Sequence, residues 1–255
     1  MKNRTIYAVL ITLFYTPATY SNTNGSSVDL AESIFLPTST TGEIVEHAYY
    51  TLSYSEPHEQ PEWVAYTLKK EHLTYDDRQR PYFIEDPKVR TKSADWKNYR
   101  GSGYDRGHLL PAGDRRFSEQ AYNETFYTSN ISPQDKQFNA GIWNRLEQKI
   151  RYWCKKYGDL LVVTGGVLED DLIEIGDEDV DVPRMFYKIV LRGFDDNAQL
   201  LAFLIPAEES QEPLENFLVP IDEIEIKTGI DFFEKQPEAW QSKLESQVDS
   251  SGWKF

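Results

Sequence analysis

The stretch NAGIWNRLEQKIRYWCKKYG, Asn139 to Gly158, limits the fold more than any other segment of the chain. It sets Ile142, Leu146, Ile150 and Trp153 on one stripe and closes in a Lys/Arg-rich turn before Gly158. That is the pattern of an amphipathic helix with one face to bury. Immediately after it, GDLLVVTGGVL (Gly158–Leu168) is a short apolar run between glycines, which suits a central strand. Cys154 is the single cysteine, so no internal disulfide can form and stability must come from a core.

Other segments supply partners for such a core. HAYYTLSYS (His47–Ser55) and EWVAYTLKK (Glu62–Lys70) are rich in aromatic and β-branched residues, and the turn-like EPHEQP between them predicts a hairpin. RMFYKIVLRGF and LLAFLIPAE read as two further paired strands around the Asp195–Asn197 turn. EAWQSKLESQV repeats apolar residues at Trp240, Leu244 and Val248 and reads as a late helix. The acidic run Glu169–Pro183 lacks the ligand spacing of a calcium loop and reads as a solvated connection. No internal repeat is present. The pattern is one mixed α+β domain spanning residues 42–255.

The first residues read differently. Lys2 and Arg4 precede an apolar run, Ile6–Tyr15, that is too short to span a bilayer comfortably, and Thr19 and Ser21 offer small residues for cleavage. Residues 1–21 are therefore expected to be a signal peptide, and the Ser/Thr/Asn-rich residues 22–41 a linker partly ordered around Leu30–Leu36. The expected location is secreted or periplasmic, without stable membrane association after cleavage. Removing Lys2 and Arg4 takes the formal charge of −15 to −17. So acidic a chain does not offer a broad polyanion-binding surface, and any nucleic-acid site on it must be local.

The stretch YRGSGYDRGHLLPAGD (Tyr99–Asp114) is too charged for core and too punctuated for one helix. Within it His108 follows Asp105-Arg106-Gly107, whereas His47, His58 and His72 lie in strand or turn contexts without clustered partners and read as solvated or capped. On the long helix Asn139, Trp143, Glu147 and Arg151 recur every four residues, an arc of roughly 120° at 100° per residue. Alone, that face is also what an exposed salt-bridge ladder looks like, with Glu147 and Arg151 ordered for an i,i+4 pair. Upstream, FYTSNISPQDKQFN brings Asn130 into the turn that leads to the helix.

Taken together, DRGH, TSNISPQ and the Asn139/Glu147/Arg151 helix resemble the DNA/RNA non-specific endonuclease family, in particular its endonuclease G branch. DRQRPYFIEDPKV, VVTGG and TGIDFF extend the resemblance over roughly residues 44–235. The resemblance implies the ββα-metal nuclease fold, α+β with a central, mostly antiparallel sheet flanked by helices. It implies His108 as the general base and Asn139 as the metal ligand, for Mg²⁺ with Mn²⁺ as a substitute. It further implies Glu147 holding metal-bound water, and Arg106, Arg151 and Arg78 on phosphate, with Arg80 the alternative to Arg78. Asp105 and Asn130 take supporting roles, and Trp143 packs. The implied reaction is hydrolysis of DNA and RNA with little sequence preference, leaving 5′-phosphate ends; a homodimer is compatible with the sequence.

Two other readings stand beside it. The acidity suits a non-catalytic module on the same fold that binds phosphate or a protein, although His108, Asn139, Glu147 and Arg151 are all retained. A nuclease restricted to small phosphodiesters is the other.

Overall fold

The computed structural model describes residues 33–194 and 197–255. The expected signal peptide, most of the expected linker, and two residues of the Asp195–Asn197 turn lie outside the described residues. In chain order the strands are β1 (Ile44–Glu46), β2 (Thr51–Ser55), β3 (Gln60–Leu68), β4 (Asp105–His108), β5 (Ile131–Gln134), β6 (Leu160–Gly166), β7 (Ile173–Ile175), β8 (Val180–Val182), β9 (Met185–Arg192), β10 (Gln199–Pro206) and β11 (Leu218–Val219). The helices are α1 (Glu119–Glu124), α2 (Lys136–Phe138), α3 (Asn144–Tyr157), α4 (Ile221–Thr228) and α5 (Glu238–Leu244).

Seven strands form one antiparallel sheet in the order β1-β2-β3-β6-β9-β10-β11. The predicted hairpin is β2 against β3, with Thr51 opposite Ala65, and the two later strands are β9 against β10, with Arg192 opposite Gln199. The glycine-bounded run is β6, in the middle of the sheet. Both faces of this sheet are covered, which is why its strands β6, β9 and β10 read as predominantly apolar runs. Side chains alternate between the two covers. Val162 joins Leu52, Val64, Phe203 and the α3 residues Leu146, Ile150 and Trp153. Leu161 and Val163 face the other way, onto Trp63, Ile189 and the α4 residues Ile221 and Ile224. Burying a leucine such as Leu146 in this way is worth about 1.5–3 kcal/mol.

Beside the sheet lies a smaller unit that carries the DRGH stretch. β4 pairs antiparallel with β5, Asp105 opposite Gln134 and His108 opposite Ile131, and the chain then enters α2 and α3. Gly107 is required at its position, because a Cβ there would lie 2.2 Å from the Gln134 side chain. Strand, strand and helix thus form a ββα unit, in an α+β fold as expected.

Three local details depart from the sequence reading. The acidic run is a small hairpin, β7 with β8, whose Ile175, Val180 and Val182 pack with Phe83 and Tyr99. Ile173 and Glu174 stay exposed, whereas Asp181 between the two buried valines is itself buried and paired with His58. Second, the long helix is not continuous: Asn139–Trp143 forms a wide π turn in which Gly141 has φ −94° and ψ −110°, and the regular helix starts at Asn144. Third, order in the linker is not confined to the stretch around Leu30–Leu36; the chain is anchored beyond it as well. Phe35 packs on Phe233 and Trp240, and Trp63 Nε1 donates to Thr38 O at 2.8 Å. No helix among the described residues is long and apolar enough to cross a membrane.

Candidate active site

His108 ends β4 half-buried between the rings of Phe83 and Phe126, at centroid distances of 5.5 and 5.0 Å. Burial, then the positive charges of Arg80 and Arg106, push its imidazole down from 6.5 to about 3. It is therefore neutral at pH 7, the form that can accept a proton. The next residues are pinned by Asn130, fully buried, whose amide accepts from Leu110 N at 2.9 Å and donates to Leu110 O and Thr125 O. All of these bonds go to backbone, so Asn130 fixes the loop and does not face a ligand.

Two guanidiniums flank the imidazole. Arg106 lies 4.7 Å above the Phe83 ring and 5.7 Å from that of Trp96; Arg80 lies 5.4 Å above Phe83 and 5.6 Å from Phe126. With Pro81 and Tyr82 they line a cavity of about 430 Å³. The neighbour of His108 is thus Arg80 and not Arg78, which the sequence reading preferred. Arg78 is bound to Arg116 O at 2.8 Å and to Asp76 at 3.2 Å. The two arginines are two residues apart on an irregular segment, where periodicity gives no means of choosing. A larger cleft, about 820 Å³, is lined by Asp95, Glu174, Asp177 and Glu178 among others, a poor seat for phosphate.

Asn139 sits on the π turn, an irregularity frequent at functional sites. Its Nδ2 donates to Asp105 Oδ2 at 3.0 Å, tying the turn to the start of β4. With that nitrogen committed, the atom it can offer a cation is the carbonyl oxygen Oδ1. An amide oxygen beside a carboxylate is a hard-donor set that fits Mg²⁺ or Mn²⁺ carrying most of its water. Trp143 is fully buried against Phe138 and Phe186, a packing residue as expected.

One turn further along, Glu147 and Arg151 form the expected i,i+4 pair at 3.4 Å, but as half of a larger buried network. Arg151 Nε donates to Asp114 Oδ1 at 2.5 Å. Lys188, in the middle of β9, is wholly buried; its Nζ lies 4.4 Å above the Trp143 ring and donates to Leu109 O at 3.3 Å. Burial pushes the Glu147 carboxyl up and the Lys188 amine down, and their opposite charges resist both shifts. Asp114 and Lys188 were missed as site residues. Asp114 lay in the stretch already singled out, and a lone lysine inside a strand buried on both faces was a signal. The other histidines are engaged away from this site rather than solvated: His47 with Asp86 at 2.8 Å, His58 with Asp181, and His72 stacked on Phe117.

Known proteins with this arrangement of sequence can now be set beside it. The chain is 37% identical over 208 residues to the mitochondrial nuclease EXOG of Danio rerio, covering 74% of this chain and 61% of the relative. It is 37% identical over 201 residues to the mitochondrial endonuclease G of Homo sapiens, 72% of this chain and 67% of the relative. It is 35% identical to nuclease C1 of Cunninghamella echinulata var. echinulata, 77% of this chain and 84% of the relative. The match thus spans only about three fifths of the length of its EXOG relatives. In fold, a chain from the crystal structure of the EndoG/EndoGI complex superposes with a TM-score of 0.76 at 30% identity, covering 85% of this chain and 95% of the other.

These relatives correct the expected location. EXOG and endonuclease G are named as mitochondrial, in several organisms, against a secreted or periplasmic address. A short basic-then-apolar leader discriminates poorly between addresses. A family model described as DNA/RNA non-specific endonuclease matches residues 31–239, well over half of the sequence, and the chain belongs to that family.

Proposed function

We propose that this chain is a metal-dependent, non-specific endonuclease that hydrolyses phosphodiester bonds of DNA and RNA and leaves 5′-phosphate ends. The observation that carries the reading is His108 set neutral between Arg80 and Arg106, on a strand tied through Asp105 to Asn139. In this reading the two guanidiniums seat the scissile phosphate by charge-assisted contacts. The phosphate's negative charge offsets the arginines that depress the imidazole, so His108 becomes a stronger base once substrate is bound. It then takes the proton from the attacking water. Asn139 Oδ1 would hold a hydrated Mg²⁺, which when bound stabilises charge on the scissile phosphate and leaving oxygen. Glu147, kept on the helix by Arg151, would orient water around that ion. Contacts limited to phosphate read no sequence, so little preference is expected.

The net charge of −15 favours the non-catalytic module instead, but the arginines concentrated at one cavity answer it locally. The deciding test is digestion of plasmid and RNA with Mg²⁺ or with EDTA. The expected result is cleavage only with the metal, and a rate about 10²–10⁴-fold lower for His108→Ala. A folded His108→Ala protein that cuts at the wild-type rate would overturn the reading.

A further inference from the structure

The last two helices bring three carboxylates together far from the DRGH stretch in sequence. Asp222 and Glu225 lie one turn apart on α4, and Glu245 follows α5; one carboxylate oxygen from each lies within 4.8 Å of the other two. Glu245 is only 6% exposed, and its Oε1 has no hydrogen-bond partner among the described residues. An unpartnered carboxylate oxygen that deeply buried is costly, and a second and third carboxylate aimed at the same point add repulsion. We propose that Asp222, Glu225 and Glu245 form a Ca²⁺ site that joins α4 to α5.

The chemistry supports a hard cation: every donor is a carboxylate oxygen, with no imidazole or thiolate to favour zinc or copper. Three protein carboxylates converging on one place suit Ca²⁺, which takes many protein oxygens in flexible geometry, better than Mg²⁺, which keeps most of its water and binds through one or two carboxylates. The exposed Asp222 leaves one side open to water, which completes the six to eight ligands that Ca²⁺ takes. The site has a structural consequence. Phe232 N is bound to Glu225 Oε1 at 2.8 Å, and Asp231 N to Thr38 Oγ1 at 2.8 Å. A cation here would therefore fasten the C-terminal helices and, through them, the anchored residues 33–41.

The test uses the full chain carrying Asn139→Ala, so that the other expected metal position contributes nothing. After stripping with EDTA and dialysis, CaCl₂ is titrated by calorimetry and thermal unfolding is followed with and without 1 mM Ca²⁺. The expected result is saturable binding with a dissociation constant on the order of 10⁻⁴ M, and a rise in Tm. Adding Glu245→Gln or Asp222→Asn should abolish both; the second, at an exposed position, keeps the test valid if the first fails to fold. Three outcomes would overturn the proposal: no saturable binding, binding unchanged by both substitutions, or Mg²⁺ bound more tightly than Ca²⁺.

Discussion

Asn139 Nδ2 donates to Asp105 Oδ2 across 3.0 Å, and through this one bond the π turn is held against the first residue of the DRGH strand. The bond fixes which end of the Asn139 amide faces outward. Removing Asp105 leaves the amide free to rotate and present its NH₂ group instead. For Asp105→Ala, the Mg²⁺ concentration giving half-maximal cleavage should rise about 10–100-fold, the usual cost of losing a partner that orients a metal ligand. Asp105→Asn keeps an acceptor oxygen and should lose less. An unchanged Mg²⁺ dependence in Asp105→Ala would show that Asn139 needs no such support.

The second prediction concerns pH. Burial and the two flanking arginines push His108 down to about 3, so between about 3 and 6.5 the unfolded chain binds a proton there that the folded chain does not. This group's contribution to stability is thus complete above 6.5 and is lost as pH falls below it. In activity the same shift keeps the base form available in acid. The acid limb of kcat/KM, which reports the free enzyme, should lie well below 6.5. Arg80→Gln removes one positive neighbour and should move that limb upward. A wild-type limb at or above 6.5 would contradict this account.

Much of this was legible in the sequence because side-chain periodicity is a local property. The strands β2, β3, β6, β9 and β10 and the stripe Leu146/Ile150/Trp153 announce themselves by spacing alone. The unit that places His108 was legible for a different reason: DRGH, TSNISPQ and the Asn139/Glu147/Arg151 helix together resemble the motifs of a known nuclease family. What escaped was non-local. The π turn at Gly141 leaves the four-residue rhythm nearly intact and so is invisible to it. Lys188 and Glu147 belong to a strand and a helix that meet only in the folded chain. Phe35 stands in a short apolar run, Ile34–Leu36, whose partner Trp240 lies some two hundred residues away and is named by no local pattern.

The third prediction separates two neighbouring arginines. Arg80 stands over Phe83 and Phe126 beside the imidazole, whereas Arg78 is spent on Asp76 and the Arg116 carbonyl. A hydrogen bond to a charged group is worth about 1.5–3 kcal/mol, which is a factor of roughly 10–100 in rate. Arg80→Ala should therefore lower kcat/KM by about that factor, and Arg78→Ala by less than about threefold. The converse ranking, from a steady-state comparison of the two purified variants, would place the phosphate on the other side of the loop.

The last prediction concerns the charges beneath the site. Glu147 sits among Lys188, Arg151 and Asp114, and Lys188 also reaches the Leu109 carbonyl next to His108. Lys188→Met keeps most of the buried volume but deprives Glu147 of one counter-charge and Leu109 O of its donor. Breaking a buried pair on one side costs on the order of 3 kcal/mol, because the charge left behind stays desolvated. The double variant Lys188→Met/Glu147→Gln removes that charge too. Its loss, read from urea unfolding, should be smaller than the sum of the two single losses, with a coupling of about 0.5–3 kcal/mol. Strict additivity would mean that the lysine and the glutamate do not share a field, and that Arg151 alone holds Glu147 in place.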